Sequence, residues 1–135
     1  MDTMMSMTTH ARPPLIINAG LYARLLALAE QARKHAPKLA DHLLEEIERA
    51  ELCPPESMPD DVVTIGSTVT YREGARTQTV QIVMPGDADV AHGRVSVIAP
   101  VGTALLGLSV GQEIVWEMPG GRARRLEVLD VRRTE

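Results

Sequence analysis

The chain has 135 residues, 44% of them apolar, which is enough for one compact domain with a real core. Aromatic residues supply only 2%, with one Trp, two Tyr and no Phe, which argues against a base-stacking nucleic-acid module. A formal net charge of −4 argues against a general nucleic-acid binder, though not against a protein partner that itself handles nucleic acid.

Residues 1–14, MDTMMSMTTHARPP, lack the basic start and apolar stretch of a secretory leader and are expected to be disordered. Leu15, Ile16 and Ile17 form a short apolar run ending at Asn18, whose side chain suits a helix start because its oxygen can accept an orphan backbone N–H. From Leu21 the spacing is helical: Leu21, Leu25, Leu28 and Ala32 step by three and four, Leu26 and Ala29 widen the stripe, and Gln31, Arg33 and Lys34 lie off it. Pro37 interrupts the pattern. Leu39, Leu43, Leu44, Ile47 and Leu52 then predict a second amphipathic helix with Glu45, Glu46, Glu48 and Arg49 outside. Joined around His35–Lys38, the two make a short antiparallel αα-hairpin over residues 15–52, coiled-coil in character. A first arm from about residue 20 to 35 spans roughly 20–24 Å. Such an arm is too short to be stable alone and is expected to pack on the second half.

CPPESMPDD, residues 53–61, breaks the helix with three prolines and reads as a connector. Over residues 62–135 the period changes to two. Val63, Ile65 and Val69, then Val80, Ile82 and Met84, then Val95 and Val97, then Ile114, Trp116 and Met118, then Leu126, Val128 and Val131 mark about five strands. Met118-Pro119-Gly120-Gly121-Arg122 supplies a turn that joins the last two as a hairpin. Between the third and fourth strands stands APVGTALLGLSVGQ, residues 99–112. Pro100 suits a first helical turn, Leu105 and Leu106 need a core, and Gly107 suits a left-handed stop. The expected fold class is α+β: a short αα-hairpin, then a small antiparallel sheet with one short helix on it.

The second half resembles the C-terminal domain of the Gre transcript-cleavage factors. The stretches that carry the likeness are IGSTVTYR (65–72), QIVMPGDADV (81–90), VSVIAPVGTALLGLSVGQEI (95–114) and MPGGRARRLEVLDV (118–131). LIIN (15–18) and ERAELCPPESMPDDVVT (48–64) resemble a branch of that family with a short N-terminal hairpin in place of a long coiled coil. The resemblance implies an FKBP-like second domain. It also implies a bacterial cytoplasmic protein that binds RNA polymerase near the rim of its secondary channel. Ile98, Ala99, Pro100 and Val101 fall on the loop with which Gre factors contact the polymerase. Pro100 matches the family there, whereas Ile98 and Ala99 stand where polar or acidic residues are common. Ile98 either docks on a partner or alternates with Val97 to fill the sheet's other face.

Gre factors carry acids at the coiled-coil tip, where carboxylates help hold a metal ion. Here the tip is Arg33, Lys34, His35 and Lys38, and cations repel Mg²⁺ rather than bind it. The tip is either a solvated helix end that suits the C-terminal dipole or a contact for an acidic or RNA-phosphate surface. Asp87 and Asp89 sit in a glycine turn and read as strand-ending residues. His10, His35, His42 and His92 are scattered without zinc-ligand spacing, and no phosphate-binding glycine motif or GxSxG context occurs. Cys53 is the only cysteine, so no intramolecular disulfide forms, and it reads as an inert thiol.

No metal or cofactor is expected. The leading expectation is a monomeric, non-enzymatic polymerase regulator that competes with Gre-type factors, without sequence-specific nucleic-acid contact and without a membrane. The alternatives are a peptidyl-prolyl isomerase, for which the half carrying Tyr71 and Trp116 is poor in aromatics, and a cleavage-stimulating factor, against which the basic tip argues.

Overall fold

In the computed structural model, which describes residues 15–117 and 123–133 and only the backbone of Trp116 and Glu117, Asn18 opens the helical region. Its Oδ1 accepts the Gly20 N–H at 2.7 Å and caps a single 3-10 turn, Ala19–Leu21. Helix α1, Tyr22–Ala32, follows and buries Leu25, Ala29 and Ala32. Pro37 does more than interrupt: it occupies the first turn of helix α2, Pro37–Arg49, where its missing N–H costs nothing. The tight connection is closed by the Ala36 N–H on the Ala32 carbonyl, 2.7 Å. The expected arm of residues 20 to 35 is thus shorter, with an α-helix of 11 residues, or roughly 16 Å.

The second helix ends earlier than its apolar spacing suggested. Leu52 leaves the helix and lies exposed in a short strand β2, Glu51–Cys53, which pairs in parallel with strand β1, Ile16–Asn18. Glu46 is a second correction. It is buried rather than outside, three residues beyond Leu43 on the stripe, and its carboxylate lies 2.8 Å from the Arg49 guanidinium. Pairing of this kind is what makes a buried carboxylate tolerable.

The remaining strands are β3, Thr68–Glu73, β4, Arg76–Val83, β5, Arg94–Ser96, β6, Glu113–Glu117, and β7, Ala123–Arg132. They form one sheet in the order β5-β4-β3-β7-β6. Every pairing is antiparallel except β4 with β5, which is parallel and departs from the all-antiparallel expectation. Val63 and Ile65 precede β3 rather than belong to it. Val63 is instead tied by its backbone to Gly107 and Leu108, at 2.9 Å each. Strands β6 and β7 pair as the expected hairpin. The 118–122 turn and the expected disorder of residues 1–14 lie outside the described residues. A bulge where Thr70 pairs with Asp130 but Tyr71 with Val128 explains why the buried positions of β7 run Leu126, Val128 and then Val131.

Helix α3, Pro100–Leu105, buries Gly102, Thr103, Ala104 and Leu105. A single core joins both halves: Leu25, Ala29, Leu43 and Ile47 from the hairpin meet Val69, Tyr71, Ile82, Leu126 and Val128 from the sheet, with Leu105, Leu106 and Leu108 among them. The short hairpin is therefore packed on the sheet domain, as its length required. Gly107 sits at this joint with φ 84°, the left-handed stop its position predicted. A Cβ there would lie 3.2 Å from the Ile16 carbonyl oxygen and from the Leu15 Cβ, while the Ile16 N–H donates to the Gly107 carbonyl at 3.1 Å.

Candidate partner-binding site

The corner that leads into α3 is fixed by its own backbone. The Val97 N–H donates to the Val83 carbonyl at 2.8 Å, and the Ala99 N–H to the Ser96 carbonyl at 3.0 Å. The Ser96 hydroxyl accepts the Ile98 N–H at 3.2 Å. The buried Thr103 hydroxyl donates to the Val97 carbonyl at 2.7 Å, pinning the helix on the strand before it. Gly102 faces the same backbone so closely that a Cβ would strike the Ser96 carbonyl oxygen and stand 3.0 Å from the Val97 Cα. Only glycine fits this approach.

Ile98, Ala99, Pro100 and Val101 are all half-buried, with Pro100 in the first turn of α3. Ile98 and Val101 pack against the core. Ile98 also opens onto a cleft of about 310 Å³ lined by Leu28, Gln31, Ala32, Lys34, His35, Pro85 and Ile98. The hairpin tip, the other candidate surface that the sequence offered, thus forms the facing wall. Lys34 and His35 stand on the cleft, and Arg33 and Lys38 are exposed beside them. Arg33 reaches the Glu30 carboxylate at 4.0 Å, while among the described residues no carboxylate pairs with Lys34, His35 or Lys38. Pro85 is a lining residue that sequence reasoning missed. It follows β4 in the turn that also holds Asp87, and nothing in its local pattern ties it to residues 98 or 35.

The other candidates do not line this cleft, although Asp87 shares the short turn of the lining residue Pro85. Asp87 lies in a 3-10 turn, and Asp89 pairs with the exposed His92 imidazole at 2.7 Å. Among the described residues no three His, Cys, Asp or Glu gather to hold a metal ion. Cys53 is half-buried on β2, and His42 is half-buried on α2. Among the described residues no helix is long and apolar enough to cross a membrane. On the sheet, Glu73 and Arg124 form a doubly hydrogen-bonded ion pair between β3 and β7. The guanidinium's hydrogen bonds hold the Glu73 carboxyl below its usual range, and Arg124 is raised in turn. Burial pushes the neighbouring Tyr71 hydroxyl up, with the Arg124 charge opposing it. This cluster ties strands together and takes no part in the cleft.

A helical hairpin packed on an α+β sheet domain has known counterparts. The family described as "Transcription elongation factor, GreA/GreB, C-term" matches residues 58–133, and the one described as "Rnk N-terminus" matches residues 13–52. The chain belongs to the GreA/GreB transcription elongation factor family. It is similar to the "Regulator of nucleoside diphosphate kinase" of Escherichia coli (strain K12), with 43% identity over 123 residues that cover 90% of each chain. It is 40% identical over 129 residues to "Transcription elongation factor GreA" of Chelativorans sp. (strain BNC1), covering 87% of this chain and 82% of that one. Among solved structures, a "Prokaryotic transcription elongation factor GreA/GreB from Nitrosomonas europaea" superposes with a TM-score of 0.70 at 38% identity, covering 87% of this chain and 98% of that one. The relatives are named as regulators or transcription factors.

Proposed function

We propose that the chain is a transcription regulator that binds RNA polymerase near the rim of the secondary channel and occupies the place of Gre-type factors without stimulating transcript cleavage. The Ile98–Val101 corner makes the contact, with Pro100 at its apex. In this reading the protein works in the cytoplasm as a monomer, without catalysis of its own.

The observation that carries this reading is the chemistry of the hairpin tip. Metal-assisted hydrolysis needs hard oxygen ligands near the reacting phosphate. The tip offers Arg33, Lys34, His35 and Lys38 instead, all exposed, the first three just past an α-helix of only 11 residues and Lys38 in the first turn of α2. An arm of roughly 16 Å that folds back on its own sheet domain has neither the reach nor the ligands for that chemistry. What remains is occupancy. The corner is fixed by its hydrogen bonds, wholly apolar in its side chains and half-buried, which suits a preorganised contact.

The test is gel filtration of the purified protein with core RNA polymerase, followed by transcript analysis on backtracked complexes. Co-elution at micromolar protein, weakened by Pro100→Arg, with no added transcript shortening, is the expected result. Absence of co-elution overturns the binding, and added shortening overturns the lack of cleavage.

A further inference from the structure

The two walls of the cleft differ in kind, and together they describe what fits between them. Leu28, Ala32, Pro85 and Ile98 give an apolar lining, and Lys34 and His35 stand on the same cleft from the hairpin side. The volume of about 310 Å³ is at the small end of ligand pockets and suits one or two large apolar side chains. Next to it, Lys34, His35 and Lys38 have no acidic partner among the described residues, although the chain as a whole is acidic at −4. The chain's two lysines, Lys34 and Lys38, both stand at this tip, and exposed ammonium groups beside an apolar cleft are complementary to an acidic surface with an apolar anchor.

We infer that the cleft between the hairpin tip and the Ile98 corner receives a protein segment that inserts an apolar side chain against Leu28, Pro85 and Ile98 and presents carboxylates to Lys34, His35 and Lys38. The inference rests on the proposed polymerase contact and assigns its chemistry: the hairpin, short as it is, supplies half of the docking surface. The apolar anchor sets the dissociation rate, because its burial excludes water at the centre of the contact. The cations at the rim set the association rate and its salt dependence. This division explains how a hairpin too short to reach a distant site still has a use: it completes the corner beside it.

The experiment measures the affinity and on-rate of immobilised core RNA polymerase for the full chain at low and physiological salt. Wild type is compared with Lys34→Glu/Lys38→Glu, checked for unchanged thermal unfolding, and with Ile98→Ser, whose melting temperature is measured first so that binding is read well below it. The double charge reversal is expected to weaken binding about five- to tenfold at low salt, chiefly through the on-rate, and to flatten the salt dependence. Ile98→Ser is expected to raise the off-rate with the salt dependence kept. If the wild type binds but the charge reversal leaves affinity and salt slope unchanged, the acidic-segment inference fails and the polymerase reading stands. If the charge reversal weakens only complexes that contain RNA, the tip faces phosphate and the inference fails. If the wild type does not bind core polymerase, both readings fail.

Discussion

The two walls of the cleft are built on opposite terms. The Ile98 wall is over-determined: Ser96, Val97, Ala99 and Thr103 exchange backbone and hydroxyl hydrogen bonds across eight residues, and Gly102 leaves no room for a side chain. The tip wall is held by a few turn hydrogen bonds at Ala32 and Ala36, and its charged side chains are exposed. A change on the first wall is therefore paid in stability, and a change on the second is read only in what binds.

The sharpest way to break this contrast is Gly102→Ala. The added Cβ strikes the Ser96 backbone, which cannot yield as a flexible side chain would, and about 3 kcal/mol of stability is expected to be lost in urea unfolding. A loss under about 1 kcal/mol would mean that the corner is softer than its hydrogen bonds suggest. Gly107→Ala comes next. It combines a φ of 84° with contacts of 3.2 Å to Leu15 and Ile16, and is expected to cost about 2 kcal/mol by loosening the hairpin from the sheet domain.

Away from the cleft, the Glu73–Arg124 pair gives a pH-dependent comparison. The folded Glu73 carboxyl is held below its ordinary value near 4.5, chiefly by hydrogen bonds from Arg124, so its contribution is present above that value and is lost as pH falls through the lower folded value. Arg124→Met is expected to cost roughly 0.5–1 kcal/mol at neutral pH and to make the melting temperature less sensitive to acid below about pH 4.5. Unchanged acid sensitivity would assign it to other carboxylates. The smallest effect belongs to the tip. Lys34→Glu is expected to change stability by less than about 0.5 kcal/mol, as seen by thermal melting, because the side chain is exposed and lacks a described ion-pair partner.

The same contrast separates what could be read in the sequence from what could not. Both helices, the Asn18 cap, the Pro100 start and the Gly107 stop were legible, since each depends on local geometry that one residue type satisfies. The step from Val128 to Val131 already contained the bulge. Strands β1 and β2 were not legible. They hold three residues each, and parallel backbone pairing across the hairpin defines them rather than any side-chain period, so Leu52 read as helical. Glu46 was misread because its charge outweighed its spacing, although three residues from Leu43 is a buried position. The cleft itself could not be read. It joins residues near 34, 85 and 98, and only the packing of hairpin on sheet brings them together.

The most direct measurement is competition. Core RNA polymerase carrying a labelled Gre factor is titrated with this chain, with transcript cleavage followed in the same samples. The account predicts that the label is displaced and that cleavage falls towards the factor-free level as it leaves. A Gre factor that stays bound at saturating concentrations of this chain, or cleavage that persists after displacement, would contradict it.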